Sequence, residues 1–533
     1  MDNTQNTATV PTKKLGKLDS FFGITKSGSS IRTEIVAGIV TFLAMAYILV
    51  VNPQAILSQN ATIMAPASIF LATALGAVVG TLLMAFLAKL PLAQASGMGL
   101  NYAVGAVLGG SLGFAVSYGN IMLMVLISGI IFLLLSVIKI KGVAIRELIF
   151  DGIPECVRGA ISIGIGLFIA FIGMQNAGLI VTPGFPIFDD VILNGTITNA
   201  AGEVIAESGP FSKYVAWIPG TLVDLVQFNN FADPYVAAGA VVCLVGFITI
   251  AVLEQFKVKG SVIIGIIIAT LVGIPLGVTE WSNASWAFWE NFEAFFSMDP
   301  SKGGSFFAAF TEGFNWAEGV KIMPIIMTII TFCMIDMFDT MGTVVGCCTP
   351  VGLVDEKGKP VRYNRIMMAD SVATCAGAMF GTSTVTTFVE SGAGISAGGK
   401  TGLTALTTAI LFLLSIVLYP LIASIPSPAA AAALLYVGCL MLKGIKNVNI
   451  DGVKNYVPAF LTIAMMPLAY SITDGIGFGI LSYVLIDLIC YVISAIKYAV
   501  TKKAEDKPVW DLSVVTIIIA VLFIVYFFVP TTF

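Results

Sequence analysis

The sequence contains no histidine and little charge. Of its 533 residues, 57% are hydrophobic and 11% are charged, whereas a soluble globular domain carries about 25% charge. Without histidine, the chain cannot build histidine metal sites, Ser-His-Asp triads or histidine proton relays. The 27 basic and 31 acidic residues nearly balance, so the charge gives no indication of a nucleic-acid partner. This composition is typical of a polytopic membrane protein. Because the chain has no histidine, any proton transfer has to use carboxylates.

The eight cysteines lie within apolar runs or at their ends, which favours small packing residues over a disulfide framework. Cys347 and Cys348 are adjacent rather than spaced as CxxC, so they indicate a metal site only weakly. Residues 1–32 are polar, and no signal-peptide cleavage site follows the next apolar run. We therefore expect no metal, no other cofactor and no cleaved leader.

Apolar runs follow one another along almost the whole chain. A helix that crosses a hydrocarbon core of about 30 Å needs about 20 mostly apolar residues. Candidate spans are 35–51, 67–88, 120–138, 159–177, 234–253, 261–278, 322–346, 366–380, 403–424, 428–442, 456–472 and 475–496. Two further segments, 92–110 and 382–397, are short and interrupted. The sequence thus predicts an all-α, multi-pass membrane protein with fourteen spans, two of them interrupted.

The two halves match at corresponding positions. Pro154 starts the fifth span and Gly166 follows it by twelve residues, and Pro426 and Gly438 repeat this interval at the twelfth span. Because a unit of seven spans is odd, its second copy must insert upside down, as in many secondary transporters. We expect an inverted repeat with this order: cytoplasmic segment 1–33, first repeat 34–278, extracellular loop 279–320, second repeat 321–497 and C-terminal segment 498–533. An extra apolar run at 511–530 either crosses the membrane or lies against the bundle.

Loop charge indicates the orientation. With the N-terminus in the cytoplasm, 24 of the 27 basic residues fall on inner segments, and Lys213, Lys302 and Lys321 fall on outer ones. This partition agrees with the positive-inside rule. The long loops at 179–233 and 279–320 then lie outside.

Acidic residues at membrane depth are costly and are candidates for function. Asp336 and Asp339 are three apart on one helical face, and Glu390 lies in the second interrupted segment. We favour a role in the site for Asp339 and Glu390, whereas for Asp336 a structural role is an equal alternative. Asp370, in the first turn of its predicted span, and Asp487 are weaker candidates.

The interrupted segments supply the remaining polar groups. They are too flexible or too polar for a lipid-facing helix, and their notable residues are Gly97, Gly99, Asn101, Thr384, Thr386 and Thr387. Irregular backbone at this depth requires cover by protein or a cavity. The alternation in STVTTFVE favours a short strand that pairs with the segment around LAQASGM. Two half-helices would then begin near the midplane with their amides facing a cavity.

One motif points elsewhere. Residues 394–401, GISAGGKT, satisfy the P-loop pattern, but no stretch is long enough for the nucleotide-binding domain that a P-loop serves. We interpret Lys400 as an inner-face charge after a broken helix.

The charge of the site narrows the substrate. An anion carrier would place Arg or Lys at the half-helix starts, but this chain has Asp339, Glu390 and Asn101 near them. Carboxylates accept hydrogen bonds and Asn both donates and accepts, so a planar neutral solute with several N–H donors, or a cation, fits best. Phe388 and Tyr102 either stack on such a ring or serve as packing aromatics.

Several stretches resemble AzgA-like purine permeases, which carry hypoxanthine, guanine or adenine within the nucleobase-ascorbate (nucleobase:cation symporter-2) superfamily. They are SFFGITKSGSSIRTEIVAGIVTFLAMAYILVVNP (20–53), SGMGLN (96–101), MIDMFDTMGT (334–343), GTSTVTTFVESGAG (381–394), GGKTGLTA (398–405) and MMPLAYSITDGIGFGILSYVL (465–485). The chain has GMGLNYAVGA where the family usually has GMGLNAFFAY, so one wall of the expected pocket differs. Which purine the protein carries therefore stays open.

The resemblance implies a core domain (34–140 and 321–424) and a gate domain (150–278 and 425–497). It implies that Asn101, Asp339 and Glu390 contact the substrate. Gly99, Thr387 and Phe388 complete the expected contacts, and Asp336 and Thr343 support them from behind. It also implies purine uptake coupled to a proton, with Asp339 or Glu390 as carrier, and a homodimer.

We therefore expect an elevator-type transporter, not an enzyme, in the plasma membrane, or the inner membrane of a bacterium. Its partners are the purine, a proton or alternatively Na⁺, and membrane lipid, without nucleic acid. Another nucleobase or a small cation is the alternative substrate. An integral-membrane enzyme or receptor is disfavoured because the sequence contains no nucleophile–base pair, metal cluster or large soluble domain.

Overall fold

The apolar runs of the sequence form helices in a computed structural model of the chain. It describes residues 16–528 except 58–59, 61–62, 111, 113, 141, 182–195, 199–203, 208–223, 226–233, 280–287, 298–303, 318, 349–351, 355–359, 470–471, 503–507 and 509. Much of the predicted outer loops, with Lys213 and Lys302, and parts of the predicted terminal segments therefore lie outside the described residues.

The first half contains ten helices among its described residues. They are α1 (Lys17–Phe22), α2 (Ile31–Met45), α3 (Ile48–Leu57), α4 (Pro66–Leu83), α5 (Met98–Leu108), α6 (Tyr118–Val137), α7 (Ile145–Gly152), α8 (Glu155–Asn176), α9 (Pro234–Gln255) and α10 (Ser261–Gly273). A short π-helical turn, Met84–Ala88, extends α4.

The second half continues with α11 (Phe288–Phe296), α12 (Ala308–Thr311), α13 (Ile322–Cys348), α14 (Tyr363–Phe380), α15 (Ser391–Ser396), α16 (Gly402–Ser415), α17 (Tyr419–Ala423), α18 (Ser427–Met441), α19 (Val453–Leu468), α20 (Ile472–Thr501) and α21 (Val514–Phe528).

Strands are few and short. They are β1 (Gln94–Ser96), β2 (Lys139–Ile140), β3 (Val143–Ala144), β4 (Ile180–Val181), β5 (Thr196–Thr198), β6 (Val204–Glu207), β7 (Asp224–Leu225) and β8 (Val385–Thr387). They form four two-stranded sheets, and none of these closes into a barrel within the described residues.

Nine helical segments of the described residues are long and apolar enough to cross a membrane. They correspond to nine of the fourteen predicted spans. The other five also contain helices, but α10, α19 and the helices of the interrupted segments are short and α14 is more polar. The prediction of a multi-pass helical membrane protein is confirmed.

The predicted strand pair is also confirmed. β1 and β8 are antiparallel, with Gln94 opposite Thr387 and Ser96 opposite Val385. The Phe388 N–H donates to the Ala93 carbonyl at 3.0 Å and extends the pairing beyond the strands. Both strands are buried, so protein covers the irregular backbone, as the low dielectric of a bilayer requires.

Helix contacts fall into two sets. In one, α18 packs on α8 and α9, α19 packs on α8 and α20, and α10 packs on α9. In the other, α14 packs on α4 and α6, and α16 packs on α2 and α4. The predicted limits of the core and gate domains stay a prediction.

Two glycines matched between the halves meet at the crossing of α8 and α18. A Cβ atom added to Gly166 would lie 2.5 Å from Met441 Cβ, and one added to Gly438 would lie 2.6 Å from the Gly166 carbonyl oxygen. Both distances are shorter than real contacts, so the backbones approach closely only because neither residue has a side chain.

The extra apolar run forms α21, which packs against α7 and α20. Ser513 Oγ donates to the Gly152 carbonyl at 3.4 Å, and Thr516 Oγ1 donates to the same oxygen. These contacts join the C-terminal region to the connection between α6 and α8.

Candidate functional site

The site lies where β1 and β8 end and the next helices begin. Gly97 immediately precedes α5 in the first interrupted segment, and Glu390 immediately precedes α15 in the second. The Gly97 N–H donates to the Thr384 carbonyl at 2.9 Å, so the start of α5 lies beside the residue that precedes β8. Because the strands are antiparallel, Glu390 and α15 lie at the other end of the pair, where the Ala93 N–H donates to Ser391 Oγ at 3.0 Å. This juxtaposition places the polar residues of both interrupted segments in one region.

Asp339 and Glu390 come together at the end of β8. Asp339 is half-buried on α13 and accepts a long hydrogen bond, 3.5 Å, from Thr386 Oγ1. Glu390 is 8% exposed, and the two carboxylates are close enough for their charges to interact. The structure thus brings together the two acids that the sequence favours.

Tyr47 is a neighbour of Glu390 that the sequence reasoning missed. It lies in the break between α2 and α3, is buried, and donates from its hydroxyl to Glu390 Oε1 at 2.5 Å. The sequence offers one signal: a phenolic hydroxyl inside an apolar run must find a buried partner. The sequence does not show that Glu390 is this partner, since 343 residues separate Tyr47 from Glu390.

Asp370 has a different position from the predicted one. The sequence predicts it in the first turn of a span that starts at residue 366, but α14 begins at Tyr363, so Asp370 lies deeper within the helix and is fully buried. The polar residues before the apolar run continue the helix, which hydropathy does not detect.

Three side chains donate to the Asp370 carboxylate. Gln94 Nε2 and Thr387 Oγ1 donate to Oδ1 at 2.5 and 3.1 Å, and Thr340 Oγ1 donates to Oδ2 at 2.8 Å. Because these donors lie on β1, β8 and α13, Asp370 joins four elements behind the site. Thr387, a predicted substrate contact, is 1% exposed and engaged in this polar layer.

Asp336 faces the same layer from α13. Thr374 Oγ1 donates to its Oδ2 at 2.8 Å, and its Oδ1 has no hydrogen-bond partner among the described residues. Thr343 is half-buried further along α13. Asp336 thus contacts α14 through Thr374, and no hydrogen bond in the described structure connects it to Thr343. The supporting roles of Asp336 and Thr343 stay a prediction.

Asn101 is fully buried in a cluster of hydroxyl groups. Its Oδ1 accepts from Ser96 Oγ at 2.9 Å and from Ser383 Oγ, and its Nδ2 donates weakly to the Ser96 carbonyl at 3.5 Å. Two donors thus already occupy its acceptor oxygen, and the residue connects α5 to the last residue of β1 and to the segment before β8. Its direct contact with a substrate stays a prediction.

Gly99 and Tyr102 lie at the boundary with α8 and α20. A Cβ atom on Gly99 would lie 2.9 Å from Ile472 Cδ1, so glycine permits this close approach. Phe388 is buried beside the strand end, and the Tyr102 hydroxyl accepts from Asn176 Nδ2 at 3.2 Å. Tyr102 therefore contacts α8 through Asn176, and stacking on a substrate stays a prediction.

Two other sequence features are structural. The Lys400 and Thr401 N–H groups donate to the Glu34 carboxylate at 3.0 and 3.2 Å, so the amides of the P-loop-like segment already have an acceptor. Asp487 forms an ion pair with Lys454, which connects α19 and α20 outside the site. In the described part of the chain, no three Cys, Asp or Glu side chains are grouped to hold a metal.

Comparison with known proteins adds family and fold. Residues 32–198 and 213–478 match the model Xan_ur_permease, described as Permease family. Adenine permease AdeP of Escherichia coli (strain K12) is 32% identical over 516 residues, 97% of either chain. Guanine/hypoxanthine permease PbuO of Bacillus subtilis (strain 168) is 33% identical over 465 residues, 87% of this chain and 93% of the relative.

Among solved structures, the transmembrane domain of the cyanobacterium bicarbonate transporter BicA gives a TM-score of 0.52 at 14% identity. The match covers 84% of this chain and 97% of that one. Murine Slc26a9, an anion transporter in the inward-facing state, gives 0.50 at 12% identity over 90% and 73%. These likenesses show the fold alone. The chain is therefore a multi-pass membrane protein of the Permease family, in agreement with the predicted resemblance to purine permeases of the nucleobase-ascorbate transporter superfamily.

Proposed function

We propose that the protein imports purine nucleobases such as hypoxanthine, guanine or adenine as a secondary active transporter. The observation that carries this proposal is the meeting of Asp339 and Glu390, from two different elements, where β8 ends. Carboxylate oxygens accept hydrogen bonds and match the N–H edges of a purine. The names of the two permeases above favour a purine over another nucleobase.

The same carboxylates are the groups available for coupling to a proton. The chain has no histidine, so a proton that accompanies the substrate has to bind an acidic residue in the site. Glu390 is the better candidate, because it is the more buried of the two acids. Keeping a buried carboxylate charged costs desolvation free energy, and binding a proton removes that cost. Coupling to Na⁺ is the alternative.

An elevator-type movement fits the two sets of helix contacts. Asp339 lies on α13 and Glu390 follows β8, and both of these elements contact α14 of one set. Gly99 and Tyr102, in contrast, contact α20 and α8 of the other set. In the proposed mechanism the core (34–140 and 321–424) carries the substrate past the gate (150–278 and 425–497). The proposal includes a homodimer in the plasma membrane with a cytoplasmic N-terminus.

Uptake in a cell without its own purine permeases tests the substrate. Labelled hypoxanthine should accumulate, and competition by guanine, adenine, xanthine and uracil should rank the bases. A protonophore should abolish accumulation if a proton is coupled, whereas removal of Na⁺ should abolish it in the alternative case. No uptake of any base would contradict the proposal.

Glu390→Gln tests the coupling residue. The amide keeps the size of the side chain but cannot bind the proton, so we expect equilibration of the base without concentration against a gradient. Glu155→Gln, an exposed residue at the start of α8, is the matched control and should concentrate the base normally. Concentrative uptake by Glu390→Gln would exclude Glu390 as the proton carrier.

A further inference from the structure

We propose that Tyr47 is a positioning residue that holds the Glu390 carboxylate as a hydrogen-bond acceptor and thereby sets the pH at which transport operates. This inference rests on the proposed function, because it assigns a partner to the coupling residue. Tyr47 acts through Glu390 and need not touch the substrate.

The backbone fixes Tyr47 at the start of α3. Its carbonyl oxygen accepts from the Val50 and Val51 N–H groups, both at 3.0 Å. The side chain is 1% exposed, so packing restricts its rotamers. The hydroxyl therefore points to one place, and Glu390 Oε1 lies there at 2.5 Å.

Glu390 is held from its own side as well. The preceding Phe388 N–H donates to the Ala93 carbonyl at 3.0 Å, and the Ala93 N–H donates to the following Ser391 Oγ at 3.0 Å. The hydrogen bond thus joins two fixed pieces of backbone, one from each half of the chain. Such a bond orients the carboxylate more strictly than one between mobile side chains.

The donor leaves the two carboxylate oxygens unequal. Oε1 accepts from the Tyr47 hydroxyl, whereas no side chain among the described residues donates to Oε2. The backbone N–H of Glu390 is the other donor near the carboxylate. Oε2 is consequently the atom left for a proton or a substrate N–H group. Because a hydrogen bond donated to the ionised form favours that form, Tyr47 opposes protonation of Glu390.

Other titratable groups face Glu390 from neighbouring helices. Asp339 and Cys347 lie on α13 and Tyr436 on α18. The negative charge of Asp339 favours protonation of Glu390, which is the opposite effect to that of Tyr47. The balance between these two neighbours would set the working pH.

The test compares Tyr47→Phe with Tyr118→Phe in purified protein reconstituted into liposomes, with purine uptake measured from pH 5 to 9 as KM and maximal rate. Tyr118 is a matched control, since it is equally buried and its hydroxyl donates to the Gly381 carbonyl at 2.6 Å, away from the carboxylates. The pH of half-maximal uptake should rise by about one to two units in Tyr47→Phe, because a charge-assisted hydrogen bond is lost. Tyr118→Phe should keep the wild-type profile.

A second pair of variants removes the ambiguity of a folding defect. Tyr47→3-fluorotyrosine keeps the hydroxyl and makes it a better donor, so the half-maximal pH should fall. In the Glu390→Gln background, Tyr47→Phe should cause no further change in purine uptake or in its pH profile, since the two residues act as a unit. Wild-type uptake of no base would overturn the proposed function, and the role of Tyr47 with it. Purine uptake with the same pH profile in wild type, Tyr47→Phe and Tyr47→3-fluorotyrosine would overturn the role of Tyr47 alone.

Discussion

Replacing Asp370 by Asn tests whether a charged carboxylate holds the polar layer behind the strand pair. Asn has the same size and keeps one oxygen for Gln94 and Thr387. Its NH₂ group, however, takes the place of the oxygen that accepts from Thr340. The Thr340 oxygen already accepts from the Thr387 N–H at 3.3 Å, so the two groups can accommodate the amide only by rearranging.

The magnitude follows from these three contacts. Hydrogen bonds to a charged group contribute about 1.5–3 kcal/mol each and neutral ones about 0.5–1.5 kcal/mol. Asn therefore loses one bond and weakens two, while the smaller desolvation cost of a neutral group offsets part of the loss. We expect Asp370→Asn to lower the free energy of unfolding by about 2–4 kcal/mol. Asp370→Ala removes the shared acceptor of Gln94, Thr387 and Thr340 and should yield no folded protein.

The assay is the apparent melting temperature in detergent, read as the monodisperse fraction of a fluorescent fusion after heating. Asp19→Asn is the control, because Asp19 also accepts two hydrogen bonds, from the Thr25 N–H and hydroxyl, but is only half-buried, in the short helix α1. It should melt with the wild type. If Asp370→Asn were equally stable, the carboxylate would be neutral in the folded protein and the reasoning from charge would be wrong.

Two further substitutions test packing and capping. In Gly166→Val, the new Cβ atom would lie 2.5 Å from Met441 Cβ. We therefore expect the free energy of unfolding to fall by about 1–3 kcal/mol or more, seen as a smaller yield of monodisperse protein. Gly346→Val enters open space on α13 and should be tolerated, and equal yields would refute the tight crossing. Glu34→Gln removes one acceptor oxygen from the start of α16, where Thr404 Oγ1 also donates at 2.6 Å, and should lower stability by about 1–3 kcal/mol. An unchanged melting temperature would show that this carboxylate is dispensable.

The sequence predicted the helices and the strand pair because the bilayer leaves few alternatives for the backbone. A run of apolar residues has to be helical, and a β-branched, hydroxyl-rich stretch such as 382–387 has to pair with another strand. The acids Asp339 and Glu390 could be recognised for a similar reason, since charge at that depth is too costly without a function.

The partners of those acids could not be predicted. Tyr47 and Gln94 approach Glu390 and Asp370 from the other half of the chain, and no local pattern encodes such contacts. The start of α14 was misplaced because hydropathy follows apolar side chains, whereas Tyr363 and Arg365 extend the helix through its backbone hydrogen bonds.

The pairing of β1 with β8 has a consequence for biosynthesis. Gln94 and Thr387 are 293 residues apart, so the ribosome completes most of the chain before the first strand can meet its partner. Until then, the nascent first half has to keep the backbone amides and carbonyls of its broken span away from lipid, in water or beside the insertion machinery. Neither half alone can complete this membrane-embedded segment, and a truncation before residue 385 should therefore leave an incompletely inserted product for quality control.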